Sequence, residues 1–353
     1  MTSLQRSLLV PIGLLLALGL LVLSSISRDF FMLQLIWIVL GVGILFFFHR
    51  FDWRSLVNYD WFIYGVYGAA VVLLVATYFA APVIRGNRAW LVLGPVQFQT
   101  AELAKVALVL LLASFFAMHH VRIARLSTIF TSGILTLIPM GLILLQPDLG
   151  SAMVLGALWF GFLLMSGLPV RYLAVFLLVA IAVGVLSWYN FLQPYHKERI
   201  IGLFNPEVDP LGVNWSITQS KIAIGSAGLW GKGYGQGTQI QLGFLPEPHS
   251  DFIFAALIEE WGLAGGTALL LIFVYLIFII LKIGVRADTN LERFIALGAA
   301  TVFSIHFFIN IGSTIGVLPV VGLPLSFVSY GGSHMVASFM LSGMLYSIAG
   351  RIT

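Results

Sequence analysis

The sequence contains no cysteine. That excludes disulfides, thiolate nucleophiles and cysteine-ligated metals, and it leaves the redox compartment unreadable. Charge is almost as scarce: 9% of residues are Asp, Glu, Lys or Arg, against about 25% in a soluble domain. The net charge of +4 is too small to call for nucleic acid. No His, Asp and Glu cluster has structural-zinc spacing, and no Gly-x-Ser-x-Gly elbow occurs. Internal repeats are lacking, which weighs against the inverted-repeat carriers. The glycine-rich stretch from Gly225 to Gly237 fails as a phosphate loop. Walker A needs Gly five residues before the Gly-Lys pair and Ser or Thr after it, and those places hold Ser226 and Gly233.

What is present is apolar. Hydrophobic residues make up 60% of the 353, and the mean hydropathy is +1.02. This predicts an all-α polytopic membrane protein forming a single domain over residues 1–353. Ten segments approach the ~20 apolar residues a span needs: 8–26, 30–48, 61–82, 101–118, 127–146, 150–167, 170–188, 252–281, 292–317 and 334–350. The first resembles a signal peptide but lacks a small-x-small cleavage site, so it reads as an uncleaved span. Ten spans put both termini on one side. The loops of that side carry Arg6, Arg50, Arg54, Arg122, Arg125, Arg171, Lys282, Arg286, Arg293 and Arg351. The other, longer loops carry Arg28, Arg85, Arg88, Lys197, Arg199, Lys221 and Lys232. The positive-inside rule makes the first side, with both termini, cytoplasmic.

The unusual sequence gathers outside: the loop 83–100, the turn 146–150, the long loop 189–250 between helices 7 and 8, and the segment 318–333. Loops that long are usually functional. Helical pieces are expected at 196–204 and at 214–224, the second capped by Asn214. The loop ends in Phe244-Leu-Pro-Glu-Pro-His-Ser-Asp251, where two prolines predict an extended approach and Ser250 or Asp251 a helix cap. Asp251 thus sits where a polar loop enters a membrane helix. It reads either as a cap or as a base, since the helix dipole favours its ionised form and burial opposes it. Glu259 and Glu260 lie too far along the helix to share a reacting centre with it.

Glu102 and Lys105 fall on one helix face and read as a buried pair locking helices or as a phosphate-binding lysine with its orienting acid. Asp148 reads as the cap of the helix from Leu149, or as part of the outer cavity. Arg85, Arg88, Arg199, Lys221 and Lys232 are outer cations, either solvated or facing an anionic headgroup. Trp90 is an interfacial anchor. His306 and Asn310 read as a satisfied interhelical pair.

Several motifs resemble the SEDS family (shape, elongation, division and sporulation). They are Gln219 to Ser226, Phe244 to Glu247, His249 to Phe254, Asn310 to Gly312, Leu318 to Gly322, Val328 to Ser333, Gln146 to Gly150, and Trp90 through Lys105. Gly237 to Gln241 and Pro319 to Gly322 are more similar to its RodA-like branch than to FtsW. Thr100, Pro248 and Ser250 depart from the usual family residues.

The resemblance implies a peptidoglycan glycosyltransferase that polymerises lipid II on the outer face of the bacterial cytoplasmic membrane, for elongation and rod shape. Asp251 falls on the family's essential acid, Glu102 and Lys105 on its buried pair, and Trp90 and Asp148 on further functional positions. A class B penicillin-binding protein, with MreC and MreD, is the implied assembly. Asp251 would take the proton of the acceptor sugar hydroxyl. Outer cations, or a divalent ion such as Mg or Mn held partly by Asp251, would offset the pyrophosphate leaving charge. The implied reaction is inverting. The alternatives are a flippase for the lipid-linked precursor, an FtsW-type division polymerase, or a non-catalytic scaffold.

Overall fold

The computed structural model describes residues 2–84, 86–94, 96–119, 126–168 and 214–352, with isolated positions between 172 and 203. The expected seventh span, 170–188, and most of the helix at 196–204 lie outside the described residues, as do Arg85 and Arg199. The other nine expected spans are helical: α1 (Ser3–Ile26), α2 (Arg28–Arg50), α4 (Asp60–Ala80), α5 (Thr100–His119), α6 (Leu126–Leu145), α7 (Leu149–Met165), α10 (Ile253–Arg286), α11 (Asn290–Thr314) and α12 (Gly332–Ala349). Among the described residues, seven helices are long and apolar enough to cross a membrane; α7 is shorter. Three short helices complete the set: α3 (Trp53–Val57), α8 (Trp215–Ser226) and α9 (Thr238–Gln241).

Lipid tails are as apolar as leucine, so burial rather than hydropathy separates core helices from lipid-facing ones. Fifteen of the 20 residues of α5 are buried, against three of the 23 in α2. The bundle is built around α5, which packs on α4, α7, α11 and α12, and α10 packs on α11 and α1. Thr2 Oγ1 donates to the carbonyl of Ala349 at 2.8 Å, so the two chain ends meet at one end of the bundle.

Two elements depart from an all-helical reading. Trp90–Leu93 (β1) and Val96–Gln99 (β2) form an antiparallel hairpin with Trp90 opposite Gln99. Gly94 (φ 63°) follows β1 in the connection, and the strand signal is shorter than the apolar runs around it. The second departure is in α10, which breaks at Gly262 (φ 70°, ψ −173°), a conformation open essentially to glycine.

The segment 315–331 folds back into the bundle without regular structure. Buried irregular backbone in a membrane must find internal partners, and this segment does. Leu325 N–H donates to Ser329 Oγ at 2.9 Å. Ser329 Oγ donates to the Ser250 carbonyl at 2.7 Å, and Tyr330 N–H to the His249 carbonyl at 2.8 Å. The strap therefore ties the mouth of α10 to the centre of the bundle.

Candidate active site

Asp251 is half-buried, two residues ahead of α10. The N-cap position falls on Phe252, which has no polar side chain, and not on Ser250 or Asp251 as expected. The approach is not extended either. Glu247, between the prolines, has φ 45°, and its carbonyl accepts from Ser250 N–H at 3.2 Å and Phe252 N–H at 3.3 Å. This turn, rather than a side-chain cap, starts the helix. The Asp251 backbone is held from α11: its carbonyl accepts from Asn310 Nδ2 at 3.1 Å and Thr314 Oγ1 at 3.4 Å. Its Oδ2 lies beside Gly322 of the strap, 3.8 Å from where a Cβ would stand.

Behind the strap lies a buried polar quartet. Lys105 Nζ donates to Glu102 Oε1 at 2.7 Å and to His306 Nε2 at 3.1 Å. His334 Nδ1 donates to Glu102 Oε2 at 3.0 Å. His306 Nδ1 donates to the carbonyl of Pro324 at 2.9 Å, and Ser326 Oγ donates to His334 Nε2 at 2.9 Å. Each bond fixes the next: a carbonyl demands a proton on His306 Nδ1, which leaves Nε2 free to accept from the ammonium. The two imidazoles stack with centroids 4.3 Å apart. Glu102 and Lys105 are 2% and 1% exposed, so the pair locks α5, α11, α12 and the strap together. That is the structural reading of the pair; an enclosed ammonium does not meet a headgroup, so the phosphate-binding reading of Lys105 is not the one this geometry supports. Glu102, His306 and His334 present ligand atoms within 4.8 Å of one another, but the Lys105 ammonium is already bonded to two of the three, Glu102 and His306.

His306 and Asn310 do not pair with each other. Asn310 Nδ2 reaches the Leu323 carbonyl at 2.9 Å as well as that of Asp251. Both residues of α11 therefore grip the strap. His334 was not singled out in the sequence; a lone polar residue opening an apolar span was its one signal.

Asp148 caps α7, accepting from Ser151 N–H at 3.0 Å, and its Oδ2 accepts from Gln99 Nε2 at 2.7 Å. Its cap role is as expected, and it also anchors the hairpin. Trp90 is half-buried at the start of β1, and Arg88 is exposed just before it. Asn214 does precede α8, but makes no side-chain cap bond there. Lys221 on α8 lines a cavity of about 390 Å³ with Asn214, Ile217, Thr218 and Gly316. Its side chain crosses Gly316 (φ 74°), where a Cβ would collide with it. The neighbouring Ser220 Oγ donates to the Thr314 carbonyl at 2.7 Å, so this cavity adjoins the residue that holds Asp251.

Lys232 is committed elsewhere. Its Nζ donates to Glu259 Oε1 at 2.8 Å and to Thr238 Oγ1 at 2.6 Å. Glu259 also accepts from the N–H groups of Gln239 and Ile240, at 2.9 and 3.3 Å. Glu260 accepts from Ser25 Oγ of α1 and from Gly235 N–H. The two carboxylates staple the loop 228–241 onto the break in α10.

The family model for the FtsW, RodA and SpoVE cell cycle proteins matches residues 2–352. The chain belongs to this family. It is 41% identical to the peptidoglycan glycosyltransferase MrdB of Escherichia coli K12 over 283 residues, covering 80% of this chain and 76% of that one. It is 34% identical to the probable peptidoglycan glycosyltransferase FtsW of Coxiella burnetii over 354 residues, covering 95% and 93% of the two. A solved chain described under the coordination of polymerization and crosslinking by a peptidoglycan synthase complex superposes with a TM-score of 0.84 at 31% identity. The match covers 97% of this chain and 96% of that one. The Thermus thermophilus rod shape determining protein RodA superposes with a TM-score of 0.73 at 29% identity, covering 98% and 96%. The site thus sits on a family fold of multi-pass membrane proteins.

Proposed function

We propose that this chain polymerises lipid-linked disaccharide-peptide, lipid II, into glycan strands, with Asp251 as the base. One observation carries the reading: a half-buried carboxylate at the loop–helix junction has its backbone fixed by Asn310 and Thr314, and Thr314 in turn accepts from Ser220, the neighbour of the Lys221 that lines a cavity. Held so, the carboxylate accepts the proton of the acceptor hydroxyl. The oxygen forms a bond to the anomeric carbon as the bond to the pyrophosphate oxygen breaks, and the polyprenyl pyrophosphate leaves with both electrons. A single displacement inverts the centre and needs one base. Lys221 and Arg88 are the described cations available to the pyrophosphate; Arg85 and Arg199 join them on sequence grounds. Glu102, Lys105, Asp148, Trp90 and Lys232 support the site.

Asp251 suits a Mg²⁺ or Mn²⁺ ion as one carboxylate ligand, with substrate phosphates completing the set, as is usual for magnesium. Bound there, such an ion would offset the leaving-group charge. The higher identity to MrdB than to the Coxiella FtsW supports the elongation branch. A penicillin-binding protein transpeptidase is the partner we assign, since a structural neighbour comes from a synthase complex; MreC and MreD follow from the family resemblance. Ten spans, an outer long loop and cytoplasmic termini in the inner membrane complete the proposal. A flippase reading is weaker, because Glu102, Lys105 and Glu259, the polar residues that would favour it, are buried.

The test is Asp251→Asn, purified and given lipid II. We expect polymer formation to fall by at least about 100-fold while the thermal midpoint is kept. Polymer at a near-normal rate would end the proposal.

A further inference from the structure

A second polar site lies at the end of the bundle where the chain ends meet. The last turn of α2 (His49, Arg50), the short helix α3 (Arg54) and the end of α12 (Ser347, Gly350, Arg351) enclose a pocket of about 140 Å³. That is several times the ~30 Å³ share of one water, and enough for a phosphate group. Its walls carry three arginines and a histidine. Two acids oppose them. Glu292 Oε1 faces Arg54 Nε at 2.7 Å. Asp52 lies 3.7 Å from Arg351, with both side chains more than 60% exposed, and pairs of that kind hold little. Arg50 has no acidic partner among the described residues.

Arg54 is the informative member. Its Nη2 is buried and has no hydrogen-bond partner among the described residues. Burial pushes the guanidinium below its ordinary pKa, Glu292 offsets part of that, and Arg351 adds to it. Cations are common at helix C-termini, where they answer the dipole. That accounts for Arg50 and Arg351, which close α2 and α12. It does not account for a half-buried arginine on a separate five-residue helix, with its Nη2 enclosed.

Beside the pocket, Phe46, Phe47 and Phe51 are 49%, 54% and 42% exposed. An apolar wall against a basic pocket matches a ligand with an anionic head and acyl tails, and basic pockets between spans at the inner face bind such heads. We infer that Arg50, Arg54 and Arg351 bind the phosphate of an anionic membrane lipid, with its acyl chains against the α2 phenylalanines.

The purified protein in neutral detergent is titrated with phosphatidylglycerol, phosphatidylcholine or inorganic phosphate. Bound lipid is read by native mass spectrometry and stability by the thermal midpoint. Phosphatidylglycerol should be retained and should raise the midpoint, while the other two should do neither. The double variant Arg50→Gln/Arg351→Gln, which spares the Arg54–Glu292 pair, should bind phosphatidylglycerol at least about tenfold more weakly. Arg54→Lys keeps the charge, loses the planar fork and should also weaken it. Arg286→Gln, at the same end but outside the pocket, should bind as the parent does. Equal retention of both lipids, or undiminished binding by the double variant, would overturn the assignment. Displacement of the lipid by inorganic phosphate would overturn it in favour of a soluble anion.

Discussion

Lys105 shows what a single buried charge is worth. Its ammonium is enclosed by Glu102 and His306, and Glu102 is held in turn by His334. Replacing Lys105 leaves the Glu102 carboxylate buried without its ammonium, held only by His334. Removing one partner of a buried pair costs ~3–5 kcal/mol, whereas replacing both by apolar groups is often near neutral. Lys105→Met should therefore lower the unfolding midpoint in detergent more than Lys105→Met with Glu102→Leu does, because the double variant leaves no carboxylate stranded. A double variant at least as destabilised as the single one would show that the pair is not the lock it is taken for here. The i, i+3 spacing made Glu102–Lys105 legible from the sequence. His334 was not, because its partner is 232 residues away and only the fold brings them together.

The elements that period and length define were readable; those that geometry alone defines were not. Nine apolar runs became helices close to their expected bounds, since ~20 apolar residues in lipid leave the backbone little alternative. The break at Gly262 was hidden inside a continuous apolar run, and nothing in the run distinguishes that glycine from Gly265 or Gly266. It is specified by what docks there. The carbonyls of Glu259 and Glu260 accept from Lys232 and Gly233 N–H at 2.9 and 3.0 Å, while Leu263 and Ala264 N–H donate to Gly228 and Leu229. A Cβ on Gly262 would strike Leu229 and Gly231. Gly262→Ala should cost about 1–3 kcal/mol in backbone strain and free the loop 228–241. Trypsin cleavage at Lys232, held in the native fold by Glu259, should then accelerate. Unchanged digestion would mean that the loop is held independently of the break.

At the scale of the molecule, the bundle separates two faces with different work. The half-buried acid, the strap and the stapled loop lie at the Gly262 end of α10, while the chain ends and the basic pocket lie at the other. From Gly262 to Arg286 the helix runs roughly 36 Å at 1.5 Å per residue, longer than the ~30 Å hydrocarbon core. The two ends therefore emerge on opposite sides of the membrane. The proposed topology puts the acid's end outside, and the absence of cysteine opens that proposal to direct test. One introduced cysteine is the only thiol in the chain. Trp230, 82% exposed on the stapled loop, replaced by cysteine should react with a membrane-impermeant maleimide on intact spheroplasts. Arg286→Cys should react only after lysis. The reverse pattern would place Asp251 in the cytoplasm, away from a polymer assembled outside, and the proposed reaction would fail with it.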